Sequence, residues 1–186
     1  MGKVNESVLL SGEIELDNGY FTAHKEPEEG DGLFNRSRGN VRKRPVLVSV
    51  KSRDGANRKA AGRLRMTHLP NLAGVTYSKL AQRWLNPNAV VRSDADPAYT
   101  SIEPHVQAHL PQKSAPKNAS QAHPWVHIAI SNAKRLHLEI YHHLSAAWLL
   151  SYLDEFCFKF IRRRCQEDSI SRLFRTVTTC RLHASG

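Results

Sequence analysis

Hydrophobic and polar residues alternate in two places in the first part of the chain, and alternation is strand period. In "SGEIELDNGYF" (11–21), Ile14 and Leu16 fall on one face, with Glu13, Glu15 and Asp17 on the other. The Asn18–Gly19 dipeptide predicts a turn that ends this strand. "PVLVSV" (45–50) is a compact, partly β-branched apolar run suited to a buried strand, and Asp54–Gly55 marks a turn. "AGRLRMTHL" (61–69) alternates again, with Leu64 and Met66 opposite Arg63 and Arg65. Together these segments predict an antiparallel meander.

The period then changes. "TYSKLAQRWL" (76–85) puts Tyr77, Leu80, Ala81, Trp84 and Leu85 on one helical face, and "NPN" (86–88) breaks it. "AVVRSD" (89–94) reads as a short strand ending in Asp94; a strand after a helix predicts a crossover and parallel pairing. Pro97 suits the first turn of a short helix over 97–102. A helix is predicted over about 124–140. Another opens at Ser145 as N-cap, carries an apolar stripe of Trp148, Leu149, Tyr152, Leu153, Phe156 and Phe160, and ends in Arg162–Arg163–Arg164. Residues 22–44, rich in Gly and charge, and 111–122, rich in Pro, Ser and Lys, read as flexible loops. The order βββαβα, then helices, predicts an α/β domain: a mixed sheet of three antiparallel strands with parallel additions, flanked by helices.

Length and charge narrow the function. With 186 residues the chain can bury a core as one domain. Its 27 Lys and Arg against 17 Asp and Glu give a formal net charge of +10, which favours polyanionic partners, nucleic acid above all. Cys157, Cys165 and Cys180 have neither CxxC nor zinc spacing and read as free thiols of a reducing cytosol. The stretch "MGKVNESVLL" has no long apolar run, so no signal peptide is expected, and no apolar run in the sequence reaches membrane length.

Two aspartates, Asp17 and Asp94, stand at the ends of predicted strands. If the first strand is central and the strand over 89–93 lies parallel beside it, both carboxylates emerge at one edge, where sites of open α/β sheets gather. Paired carboxylates suit Mg²⁺, a hard cation that binds oxygen. Two such ions would activate a nucleophile and stabilise a leaving oxygen in phosphodiester chemistry. Asp96 competes with Asp94, although Asp96–Pro97 reads as a helix start. Glu15 shares the face of Asp17, either on a solvated strand face or as an acceptor behind the metal ligands.

The blocks "GEIELDNGYF", "KRPVLVSV", "AGRLRM", "VVRSDADPAY" and "WVHIAISNAKR…IYHHLSAAWLLSYLDEFCFKFIRRR" follow one another over residues 8–175. In order and spacing they resemble the DDE-type transposases of small bacterial insertion sequences, the group whose domain is called ISXO-two-like. The resemblance implies a ribonuclease H-like fold over 8–175, with 176–186 as a tail. It also implies cleavage and strand transfer at transposon ends, dependent on Mg²⁺ or Mn²⁺, in the cytoplasm of a bacterium at the nucleoid. The family's two aspartates fall on Asp17 and Asp94. Its Lys–Arg block falls on Lys134 and Arg135, which, with Arg162, Arg163 and Arg164, are expected to bind DNA. Terminal inverted repeats and target DNA are the expected partners, with self-association in a synaptic complex. The upstream zinc-ribbon or helix-turn-helix segment of relatives is expected to be absent.

Many relatives carry Glu or Asn seven residues before that Lys, and the count lands on His127. On a helix, His127, Ser131 and Lys134 share one face. His127 is the candidate third ligand, though imidazole suits Mn²⁺ or Zn²⁺ better than Mg²⁺; Asn132 is the rival. The sequence departs from the family pattern at Asn18, at "TAHK" (22–25), at Glu139 and at Ile161. Competing readings are therefore a catalytically decayed DNA-binding fragment of the family and a different ribonuclease H-like nuclease.

Overall fold

The computed structural model describes residues 8–24, 41–53, 60–112, 123–140 and 147–163. Strands β1 (Glu13–His24), β2 (Val41–Arg53), β3 (Ala60–His68), β4 (Val90–Ser93) and β5 (Ala108–Pro111) form one sheet in the order β3-β2-β1-β4-β5. The first three pair antiparallel; β4 runs parallel to β1, and β5 parallel to β4. Helix α1 (Gly74–Trp84) and a 3-10 helix (Pro97–His105) flank β4 in sequence; α2 (Pro124–Ile140) and α3 (Leu149–Arg162) follow β5. This is the mixed α/β architecture expected, with β1 at its centre.

Helices cover both faces. Phe21, Val46, Val48, Val50, Leu64 and Met66 pack against α2 and α3. Ile14, Leu16 and Leu47 pack on the other side against Tyr77, Ala81 and Trp84 of α1 and Tyr99 and Ile102 of the 3-10 helix. A strand buried on both faces has no use for a polar alternation, which is why β2 reads as the continuous run "PVLVSV".

Several expectations change. The Asn18–Gly19 pair is not a turn: β1 continues through it, with Asn18 opposite Leu47 and Gly19 opposite Val46. Long antiparallel pairing with β2 overrides the local dipeptide preference. Gly19 instead serves α2. A Cβ there would meet Phe21 Cε2 at 3.0 Å and Ile130 Cγ1 and Cγ2 at 3.4 Å, so the missing side chain lets the helix lie close on the strand. Gly19→Val should lower stability by about 1–3 kcal/mol through overpacking, read as a reduced urea midpoint with unchanged m-value.

Residues 22–24 and 41–44 belong to β1 and β2 rather than to a loop, and 25–40 lie outside the described residues. Pro111, expected in a linker, closes β5. That strand is only four residues long, and its parallel pairing with β4 defines it. Arg65, expected on a polar strand face, is 4% exposed. It donates to the Val8 carbonyl and lies against Trp84. On α3, Leu149, Leu153, Phe156 and Phe160 are buried as the stripe predicts, joined by Cys157. Trp148 is 62% exposed, because it sits at the cap position, before the helical period begins. Ser145 lies outside the described residues. Cys157 is a free, buried thiol, and burial raises its pKa.

Candidate active site

Register brings the two aspartates together. Along the parallel pair of β1 and β4, Leu16 is opposite Ser93. Asp17 and Asp94 are the next residue of each, side by side where β4 ends. Asp94 thus stands at a strand end as expected. Asp17 does not: it lies mid-strand in β1, opposite Val48 of β2, and what ends beside it is the pairing with β4.

By strand alternation Asp17 shares its sheet face with Glu15, Gly19 and Phe21, the face that α2 covers. Glu15 is 6% exposed, so the solvated strand face does not exist here. Its Oε2 accepts hydrogen bonds from the backbone N–H of Trp125 at 2.8 Å and of Val126 at 2.9 Å. These are free N–H groups of the first turn of α2, where a helix end attracts negative charge. Burial nevertheless raises the Glu15 pKa; the Val126 and Trp125 bonds and the Arg92 charge oppose that shift, and Glu13 adds to it.

Directly after Val126 on α2, His127 Nδ1 lies 3.7 Å from Asp17 Oδ2. His127 Nε2 is buried and meets no partner among the described residues. Burial holds the Asp17 carboxyl above the usual carboxylate range. The Asn18 N–H, donating to Oδ1 at 2.7 Å, and His127 work against this, while the Asp94 charge adds to it. The Asp94 Oδ1 accepts from its neighbour Ala95 N–H at 2.8 Å. Asp96 Oδ1 accepts from Ala98 N–H and caps the 3-10 helix, the helix-start role anticipated for it.

His123 was not singled out from the sequence. Its ring is 1% exposed and neither nitrogen has a hydrogen-bond partner among the described residues. Burial lowers its pKa, and Asp17, His127, Asp94 and the Ser93 backbone all act on it. The spacing of His123 and His127, four residues apart on one helical stripe, was the signal available.

Ser131 and Lys134 continue that stripe and are exposed, as is Arg135. Lys134 lies about 10 Å along the helix from His127. Asn132 is half-buried and about 140° round the helix from His127, off the face that meets Asp17. At the end of α3, Arg162 stacks on Phe158 with its guanidinium carbon 3.5 Å from the ring centre, and Arg163 on Phe160 at 3.8 Å. Arg164 lies outside the described residues.

The sequence profile of the ISXO2-like transposase domain matches residues 9–160. The chain belongs to that transposase family. The five-stranded sheet is accordingly a ribonuclease H-like one. No curated protein and no solved structure matches the chain. Among the described residues of this transposase domain, no three His, Cys, Asp or Glu side chains are gathered closely enough to hold a metal as they stand. The donor chemistry still fits a cation: the Asp17 carboxylate, its charge disfavoured by burial and by the Asp94 charge, lies 3.7 Å from the Nδ1 of the His127 imidazole. No helix among the described residues is long and apolar enough to cross a membrane.

Proposed function

We propose that this domain cuts DNA at the ends of an insertion sequence and joins them to target DNA, over a catalytic unit spanning 8–175. The observation that carries the reading is the pairing of β1 with β4, with Asp17 and Asp94 next in line and His127 on a helix pinned by Glu15. In this reading Asp17 and Asp94 hold divalent cations, Mg²⁺ or Mn²⁺, and the His127 imidazole offers the third donor. Bound there, the cations supply Lewis-acid stabilisation of a phosphate under attack and favour ionisation of the attacking hydroxyl. Water is the nucleophile for cleavage, and the freed 3′-hydroxyl is the nucleophile for joining. Glu15 holds the first turn of α2 so that His127 faces Asp17. Lys134, Arg135, Arg162, Arg163 and Arg164 bind phosphates along terminal repeats and target DNA, consistent with the +10 charge. Self-association would bring two ends together.

The test is nicking of duplexes carrying the element's own terminal repeats. Wild-type protein should cleave them with Mg²⁺ or Mn²⁺, stop in chelator, and lose cleavage on Asp94→Ala. Salt-sensitive binding of the correct ends without cleavage would instead identify a DNA-binding relic, and cutting of branched junctions a resolvase-like nuclease. For His127, a carboxylate substitute should work: His127→Glu is expected to retain or raise Mg²⁺-dependent cleavage while His127→Ala loses it. Indifference to both changes would remove His127 from the site.

A further inference from the structure

Behind the sheet, on the side of α1 and the 3-10 helix, a hydrogen-bonded chain runs from a surface carboxylate to the backbone of Asp94. Glu103 Oε1 lies 3.3 Å from His109 Nδ1; the Glu103 side chain is 56% exposed and that of His109 1%. His109 Nε2 lies 2.7 Å from the Ser93 hydroxyl oxygen. The Ser93 hydroxyl in turn donates to the Asp94 carbonyl at 2.8 Å. A serine, histidine and glutamate so linked suggest a nucleophile, but Ser93 is fully buried and no substrate reaches it.

What the chain does reach is one peptide unit. Its C=O is that of Asp94, held by Ser93, and its N–H is that of Ala95, which donates to Asp94 Oδ1 at 2.8 Å. The peptide is planar, so a hydroxyl that fixes its C=O also fixes its N–H. That N–H engages Oδ1 and leaves Oδ2 outside this bond. Pairing of β4 with β5, Val91 opposite His109, sets the ring in place. Ionised Glu103 can only accept, so it selects the ring form with a proton on Nδ1. The Ser93 hydroxyl gives its single proton to the Asp94 carbonyl, so its oxygen accepts from Nε2, and the chain is complete when both ring nitrogens carry a proton.

We propose that Glu103 and His109 are positioning residues for Asp94, acting through Ser93 and the Asp94–Ala95 peptide to orient its carboxylate. The proposal rests on the reading of Asp94 as a cation-holding residue. Ligand-orienting partners of this kind are typically worth ten- to a hundredfold in metal affinity.

Glu103→Ala, at an exposed side chain, is the first variant; His109→Phe, which keeps ring volume, is the second. Three quantities are measured: the imidazole ¹⁵N resonances of His109, the Asp94 carbonyl and Ala95 amide resonances, and Mn²⁺ affinity by electron paramagnetic resonance. Glu103→Ala should shift His109 away from the Nδ1–H form, move both peptide resonances, and weaken Mn²⁺ binding about tenfold. His109→Phe should move the same peptide resonances, and Glu103→Gln, which keeps an acceptor oxygen, should restore them. Unmoved Asp94 and Ala95 resonances overturn the proposal. So does Mn²⁺ affinity within about twofold of wild type in both first variants, or a Gln variant as weak as the Ala one. If wild-type protein binds no Mn²⁺, the cation reading of Asp94 fails, and the peptide resonances alone decide the chain.

Discussion

Asp17→Asn should make the metal-free protein more stable while abolishing cleavage. Burial raises the Asp17 pKa from the ordinary value of 3.8, and the Asp94 charge adds to the shift. The native state therefore binds more protons than the unfolded chain between 3.8 and the raised folded value, and stability falls as pH rises through that window. Above that window the full penalty of the ionised carboxylate is present. Asn removes it and keeps the oxygen that accepts from Asn18 N–H. A gain of about 0.5–2 kcal/mol is expected, on the scale of other stabilising changes at strained functional positions. For a chain of this size that is a few degrees in thermal midpoint.

The same change should cut cleavage by at least about a hundredfold, the scale for losing one preorganised electrostatic contact. A Mn²⁺ ion held by Asp17 in the native state alone should raise the wild-type midpoint at neutral pH and leave that of Asp17→Asn nearly unmoved. Thermal unfolding with and without Mn²⁺ gives both results. A less stable metal-free Asp17→Asn protein would contradict this account of the site.

Glu15→Ala has the larger expected effect on stability. It strands two first-turn N–H groups of α2, those of Trp125 and Val126, beneath a helix that packs on β1 and β2. Buried donors left without an acceptor cost about 1–3 kcal/mol each, so a loss of about 2–4 kcal/mol is expected. His127 moves with that helix end, and a displacement of about 1 Å can reduce rate a hundredfold. Glu15→Gln separates the contributions. Its amide oxygen still accepts, while the burial penalty that raises the Glu15 pKa disappears with the charge. It should remain within about 1 kcal/mol of wild type. It should also flatten the decline in stability that Glu15 contributes as pH rises from 4.5 through its raised folded value. Equal losses for Ala and Gln in urea unfolding would show that the hydrogen bonds to α2 are not what Glu15 contributes.

Local pattern was a good guide wherever local forces decide. α1 was expected over 76–85 and spans Gly74–Trp84; α2 was expected over about 124–140 and spans Pro124–Ile140. In both, the apolar stripe needed to cover a sheet is written at helical spacing. β3 and β4 followed for the same reason at strand spacing. Asp94 was legible because it directly follows an apolar strand, and Asp96 because an Asp–Pro start is a local cap.

Pairing between distant segments decided the rest. Asn18–Gly19 carries a turn signal, but β2 pairs along the whole of β1, and Gly19 is small because Ile130 lies over it. β5 is too short to show a period and exists through its bonds to β4. Sequence could name Asp17 and Asp94 from residue type and place in the pattern, and His127 from the family resemblance. Their meeting depends on where β4 stops along β1 and on a helix whose Trp125 lies 110 positions after the carboxylate anchoring it. That separation is why Glu15, His123 and the Ser93–His109–Glu103 chain took on their meaning only in the folded protein.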